Sequence, residues 1–273
     1  MNKYLRTRSS YLVGLTTAVL LAAAPLAWAD DEDEDEDEIP FDEAELFFEL
    51  NNTDGDLGIH ALIDGDAWKK LKIENADGRP LLKIDVKGNL RRQGLTEIFF
   101  ESAEPTFDEL DPADFFARFP EGEYEISGAT LDGEEMESEV ELTHLMPAPP
   151  QATVNGEAMA LVCDEEDPDF DATETSAPVT IGWAAVETSH EELGSPMGSP
   201  DITIHNYQVV VEVEFLVDGE EFAAEMSVIL PPNVFSMTIP AAFIALGDEL
   251  KYEVLAREES FNQTAVESCF VLE

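Results

Sequence analysis

Positive charge is the scarcest thing in this sequence: 14 Lys and Arg stand against 61 Asp and Glu, a formal net charge of -47 over 273 residues. Such a field repels phosphate backbones and anionic lipid headgroups, whose binding depends on Lys and Arg, and it excludes nucleic acid as a partner. Histidine is also sparse. His60, His144, His190 and His205 are all there are, and no two have the His-x-x-x-His or His-Glu-x-x-His spacing that sets two ligands on one helical face. No Gly-x-Ser-x-Gly elbow, phosphate-cradling glycine loop or dinucleotide fingerprint occurs. No catalytic residue is therefore assigned, and no organic cofactor is expected. Carboxylate pairs of the glycosidase kind are no signal here, because 61 acids always place some pair at a suitable distance.

Long apolar runs are confined to the start of the chain. Lys3, Arg6 and Arg8 precede an uncharged stretch from Tyr11 to Leu26, and Ala27-Trp28-Ala29 supplies the small-x-small pattern of a signal-peptidase site. The expectation is a signal peptide over 1–29, cut after Ala29, and an exported product, periplasmic or extracellular. Nothing later approaches the roughly 20 apolar residues of a transmembrane helix. Removing the leader removes three cations and no acid. Nine consecutive acids, Asp30 to Glu38, come next, a like-charge tail over 30–40 that cannot collapse and that Pro40 closes.

Cysteine is limited to Cys163 and Cys269. An oxidising compartment favours their pairing, and two free thiols are the alternative. Apolar residues still make up 44% of the chain, enough to bury a core, so acidity does not mean disorder throughout.

From residue 41 the pattern reads as strands. Asp-Gly pairs, which tolerate positive φ in tight turns, fall at residues 54, 64, 77, 132 and 218. Strands are expected over Leu46–Leu50, Leu57–Ile63, Trp68–Ile73, Leu81–Val86, Leu95–Phe100, Glu123–Thr130 and Met136–Thr143. One short helix is expected after Asp111, as N-cap, with Pro112 in its first turn. The prolines of Met146-Pro147-Ala148-Pro149-Pro150 mark a boundary. The expected organisation is an all-β protein of two domains, an acidic β-rich domain over 41–145 and a second over 146–273.

In the second domain Val179, Ile181 and Trp183 alternate, as do Tyr207, Val209, Val211, Val213 and Phe215, then Phe235, Met237 and Ile239. A Trp on an early strand, a Tyr opening the next long strand, and Leu246-Gly247 followed by Tyr252-x-Val254-x-Ala256 resemble the fibronectin type III module. The resemblance implies a β-sandwich in which Trp183, Tyr207 and Tyr252 are structural, with the Tyr252 hydroxyl tied back to a nearby loop. Two features depart from it, the long segment 184–201 and the cysteine pair. The whole layout is also similar to exported bacterial proteins that join an acidic β region to one such module.

Three chemistries compete for the acidic loops. Asp54, Asp56, Asp64 and Asp66 are calcium candidates, since hard cations take several oxygen ligands from a compact loop. They do not follow the EF-hand template, and they form two separate sites if Leu57–Ile63 is one strand. The acidic segment after Cys163, through Asp167, Asp169 and Asp171, lacks a glycine to wrap around an ion and reads as an exposed loop. Trp68 either packs inward, the favoured placement, or stacks on a sugar. Lys69, Lys70 and Lys72 with Arg91 and Arg92 form a basic patch for internal pairing, or for another copy's acidic tail. The function expected from all this is a non-enzymatic exported interaction or accessory module with a protein or glycan partner. A calcium-dependent envelope protein is the alternative, and a hydrolase a third reading.

Overall fold

The structure, a computed structural model, describes residues 38–163 and 168–272. The expected signal peptide, most of the acidic tail, and residues 164–167 of the second acidic segment lie outside the described residues. The described chain is all-β, with fifteen strands and three single helical turns. In order these are β1 (Glu43–Asn51), β2 (Asp56–Asn75), β3 (Pro80–Asp85), α1 (Leu90–Gln93), β4 (Leu95–Glu101), α2 (Pro112–Phe116), β5 (Gly122–Thr130) and β6 (Glu135–Leu142). There follow β7 (Ala152–Val154), β8 (Glu157–Ala158), β9 (Thr173–Thr175), β10 (Thr180–Trp183), β11 (Ile204–Val217), β12 (Glu220–Leu230), β13 (Ser236–Thr238), α3 (Ala241–Ile244), β14 (Glu249–Glu258) and β15 (Gln263–Leu272).

One sheet runs through the molecule in the order β12-β11-β14-β15-β1-β2-β5-β6, with β3 and β4 also on β2 and β9 also on β15. A smaller sheet, β13-β10-β7-β8, completes the architecture. The two halves of the large sheet meet where β1 and β15 pair in parallel, Glu49 with Gln263 through Asn51 with Ala265.

The apolar residues still divide into two cores. One holds Phe48, Leu50, Ile59, Ile63, Trp68, Ile73, Phe115 and Met146; the other holds Val154, Ile181, Trp183, Tyr207, Val211, Tyr252 and Phe270. They part at Met146-Pro147-Ala148-Pro149-Pro150. That segment is packed rather than a free linker: Met146 is buried, His190 N–H donates to its carbonyl, and Thr264 Oγ1 donates to the Pro147 carbonyl at 2.8 Å.

Local chemistry explains most elements. The Asp111 carboxylate accepts from Ala113 N–H at 2.8 Å and Pro112 opens α2, which presents Phe115 and Phe116 edge-on to Phe48. Four Asp-Gly pairs turn hairpins, with positive φ at Gly55, Gly78, Gly133 and Gly219. The fifth does not. Asp64-Gly65 lies inside β2, which fuses the two expected strands into one of twenty residues. Gly65 is there for packing: a Cβ would come within 2.9 Å of Met136 and 3.2 Å of Phe41. The tail's end is also earlier than expected, since Ile39 already pairs with Met136 beside β6.

Candidate functional site

Alternation on β1 and β2 sends Leu46, Phe48 and Leu50 into the first core and Phe47, Glu49 and Asn51 to the opposite face of the sheet. On that face Phe47 sits opposite His60 and Glu49 opposite Gly58. His60 also pairs in register with Glu101 of β4, and the chain leaving β4 lays Glu104 back over Gly58. A side chain at residue 58 would strike the Glu104 carboxylate, so glycine makes the space.

The result is a tight group. His60 Nε2 lies 2.9 Å from Glu104 Oε1, and Nδ1 lies 3.7 Å from Glu49 Oε2. One ligand atom from each of the three lies within 4.8 Å of the others. The imidazole is buried, capped by Phe47 and Phe99 at centroid distances of 5.4 and 5.9 Å. Glu49 also accepts from Gln263 Nε2 of β15, so the group reaches the junction of the two halves. Burial pushes the Glu49 carboxyl above its ordinary range, against the opposing pull of His60. Asp56, at the start of β2, is raised to about 6 by burial and by the charges of Glu104 and Asp54, and its Oδ1 is buried without a partner.

Across the junction the same face carries a carboxylate pair. Glu253 of β14 stands opposite Glu267 of β15. Burial, with the Glu267 charge next, raises Glu253 to about 8, so the pair shares a proton near neutrality. Asn51 Nδ2 donates to Glu267 Oε1 at 2.7 Å, linking the pair to the β1–β2 turn. An open cleft of about 890 Å³ lies beside it, bordered by Asp54, Glu212, Glu214, Lys251 and Cys163.

The sequence-predicted residues fall as follows. Cys163 and Cys269 form a disulfide with Cα atoms 5.7 Å apart. Asp54 and Asp56 stay together at the β1–β2 turn, while Asp64 and Asp66 lie roughly 26 Å further along β2 at a strand's rise per residue. The structure does not join the four. Trp68 is fully buried, its N–H donating to Thr96. Trp183 and Tyr207 pack together in the second core. The loop tie expected of Tyr252 is made by Tyr207, whose hydroxyl accepts from Val186 N–H at 2.9 Å. Tyr252 is deep in the core beside Phe270, and its hydroxyl faces Ser268 without closing a hydrogen bond of normal length. The basic patch pairs internally: Lys72 with Glu74 and Arg91 with Asp85, which stands opposite Lys70 on β3, while Lys69 donates to the Leu131 carbonyl. No spacing in the sequence singles out His60, because its partners Glu49 and Glu104 come from two separate segments, β1 and the chain leaving β4.

No protein-family model and no curated protein matches the chain. Among solved structures it is similar to a biofilm-associated protein BSP domain, at 11% identity and TM-score 0.23, covering 84% of this chain and 29% of that one. It is also similar to a tetra-tandem repeat from the extending region of a large adhesion protein, at 12% identity and TM-score 0.24, covering 85% and 50%. A third is a 1.5-MDa bacterial ice-binding adhesin, at 9% identity and TM-score 0.20, covering 86% and 66%. The chain spans less than two thirds of each of these chains, and at such scores the likeness carries no inference about role.

Proposed function

We propose that the chain is an exported, non-enzymatic interaction module whose C-terminal half is a fibronectin type III-like sandwich. Its strand order carries the reading. Leaving aside β8, which hairpins back on β7, and β9, which pairs in parallel with β15, the first, second and fifth strands (β7, β10, β13) form one sheet. The third, fourth, sixth and seventh (β11, β12, β14, β15) belong to the other. The fourth strand stays with the third, whereas a constant-type immunoglobulin domain moves it across. The disulfide fits an oxidising compartment, and no helix among the described residues is long and apolar enough to cross a membrane.

The contact surface we assign is the outer hairpin of this half. β12 ends the large sheet, and Leu216 of β11 and Ile229 of β12, 73% and 64% exposed, share its outer face, while Phe222 stacks on Phe215 on the other face. An eleven-residue edge strand offers backbone groups to an added polypeptide strand, and Glu220, Glu221 and Glu225 bias it toward a cationic one.

The test is crosslinking in the producing cell with a photoreactive residue at 229, compared with one at 97 on β4. Recovery of one defined partner from residue 229 alone, lost in Leu216→Asp with unchanged circular dichroism, is the expected result. Turnover of a glycan, ester or peptide substrate that disappears in Glu267→Gln would overturn the reading.

A further inference from the structure

We infer that Glu49, His60 and Glu104 form a binding site for a divalent first-row transition cation, of which Zn2+ is the representative probe. One imidazole nitrogen and two carboxylate oxygens converge within 4.8 Å. Tetrahedral Zn–N and Zn–O bonds of about 2.0–2.2 Å place bound ligand atoms about 3.3–3.6 Å apart, so closing on an ion asks for a contraction of up to roughly 1.3 Å. Glu104 supplies that movement, since it arrives on a connecting segment and not on a strand.

Three features make the site more than a group of acids. The imidazole is buried between two aromatic rings and held by its carboxylate neighbours, so its orientation is fixed. Gly58 removes the side chain that would otherwise fill the space under Glu104. Asp56, two residues before Gly58 on the same face of β2, adds a further carboxylate whose charge interacts with that of Glu104. The nitrogen ligand separates this site from the oxygen-only calcium candidates, because imidazole suits Zn2+ and its neighbours while Ca2+ and Mg2+ take oxygen. Two carboxylates, with a third alongside, also more than neutralise a divalent charge that the surrounding anionic face would attract.

The inference is independent of the interaction reading. Mature protein in physiological salt with excess calcium, which occupies weak carboxylate sites, is titrated with Co2+ and then Zn2+. We expect a single saturable site, a visible Co2+ d–d band that Zn2+ bleaches, and a higher melting temperature with Zn2+ than with Mg2+. His60→Gln should abolish the band and Glu104→Gln weaken affinity by about tenfold or more. Glu253→Gln, with the same charge change across the junction, should bind as wild type. Should His60→Gln not fold, Glu104→Gln and Glu49→Gln decide the matter, since both keep the side-chain shape. Equal Co2+ affinity in wild type and Glu104→Gln, or displacement of Co2+ by calcium as effective as by Zn2+, would overturn the assignment.

Discussion

The backbone N–H of Phe48 donates to Asn262 Oδ1 at 2.8 Å, joining residues 214 positions apart at a fully buried point. The same amide's nitrogen donates to the carbonyls of Thr143 and Leu145 at 2.9 and 3.1 Å. One side chain therefore pins β1, the segment leading into the proline crossing, and the β14–β15 turn.

Removing that amide strands a buried N–H and two carbonyls at once. Each unsatisfied group costs about 1–3 kcal/mol, so Asn262→Ala should destabilise by about 3 kcal/mol or more in denaturant unfolding. Asn262→Asp keeps the acceptor but sets a buried carboxylate against the Thr143 and Leu145 carbonyls, so near neutral pH it should destabilise at least as much as Ala.

Cys163 and Cys269 close a separation of 106 residues. Chain entropy gives such a link about 4–5 kcal/mol, and the Cys163→Ser/Cys269→Ser protein should lose most of that in chemical denaturation. Thiol titration of the unreduced protein should find none reactive.

Glu253 holds a proton that it would release in the unfolded chain, because its carboxyl is raised from 4.5 to about 8. Its contribution is fully present below about 4.5 and is lost as pH rises toward 8. Glu253→Gln keeps a donor for Glu267 without the charge. It should melt a few degrees higher than wild type near pH 8, on the order of 1–2 kcal/mol, and match it near pH 5.

His190 titrates with the opposite sign. Its Nδ1 accepts from the N–H groups of Glu192 and Leu193, both at 3.1 Å, and Nε2 bonds Asn52 Oδ1, which assigns the neutral tautomer. Burial lowers its pKa against the pull of Glu192 and Glu191. Stability from the neutral ring is present above the ordinary histidine value of about 6.5 and is lost as pH falls below it. An NMR titration should place the His190 midpoint below the ordinary histidine value.

Legibility followed the physics of each pattern. Period-two alternation located β10, β11 and β13, since each packs one face on the second core. β15 escaped, because Thr264, Ala265, Val266, Ser268, Cys269 and Phe270 are all buried and a strand covered on both faces has no alternation to see. Asp64-Gly65 misled because glycine serves packing as well as positive φ, and the dipeptide looks the same in both uses. The site around His60 was invisible for a different reason. Strand register brings residues 49, 60 and 104 together, and register is set by the β1–β2 and β2–β4 ladders rather than by spacing along the chain.

The parallel pairing of β1 with β15 has a mechanical consequence. Tension applied at the leading end of β1 and the trailing end of β15 pulls the two neighbours in opposite directions along their length. The cross-links between them then share the load together instead of opening one after another. A chain held at those two ends would thus resist stretching at the place where its halves are sewn together.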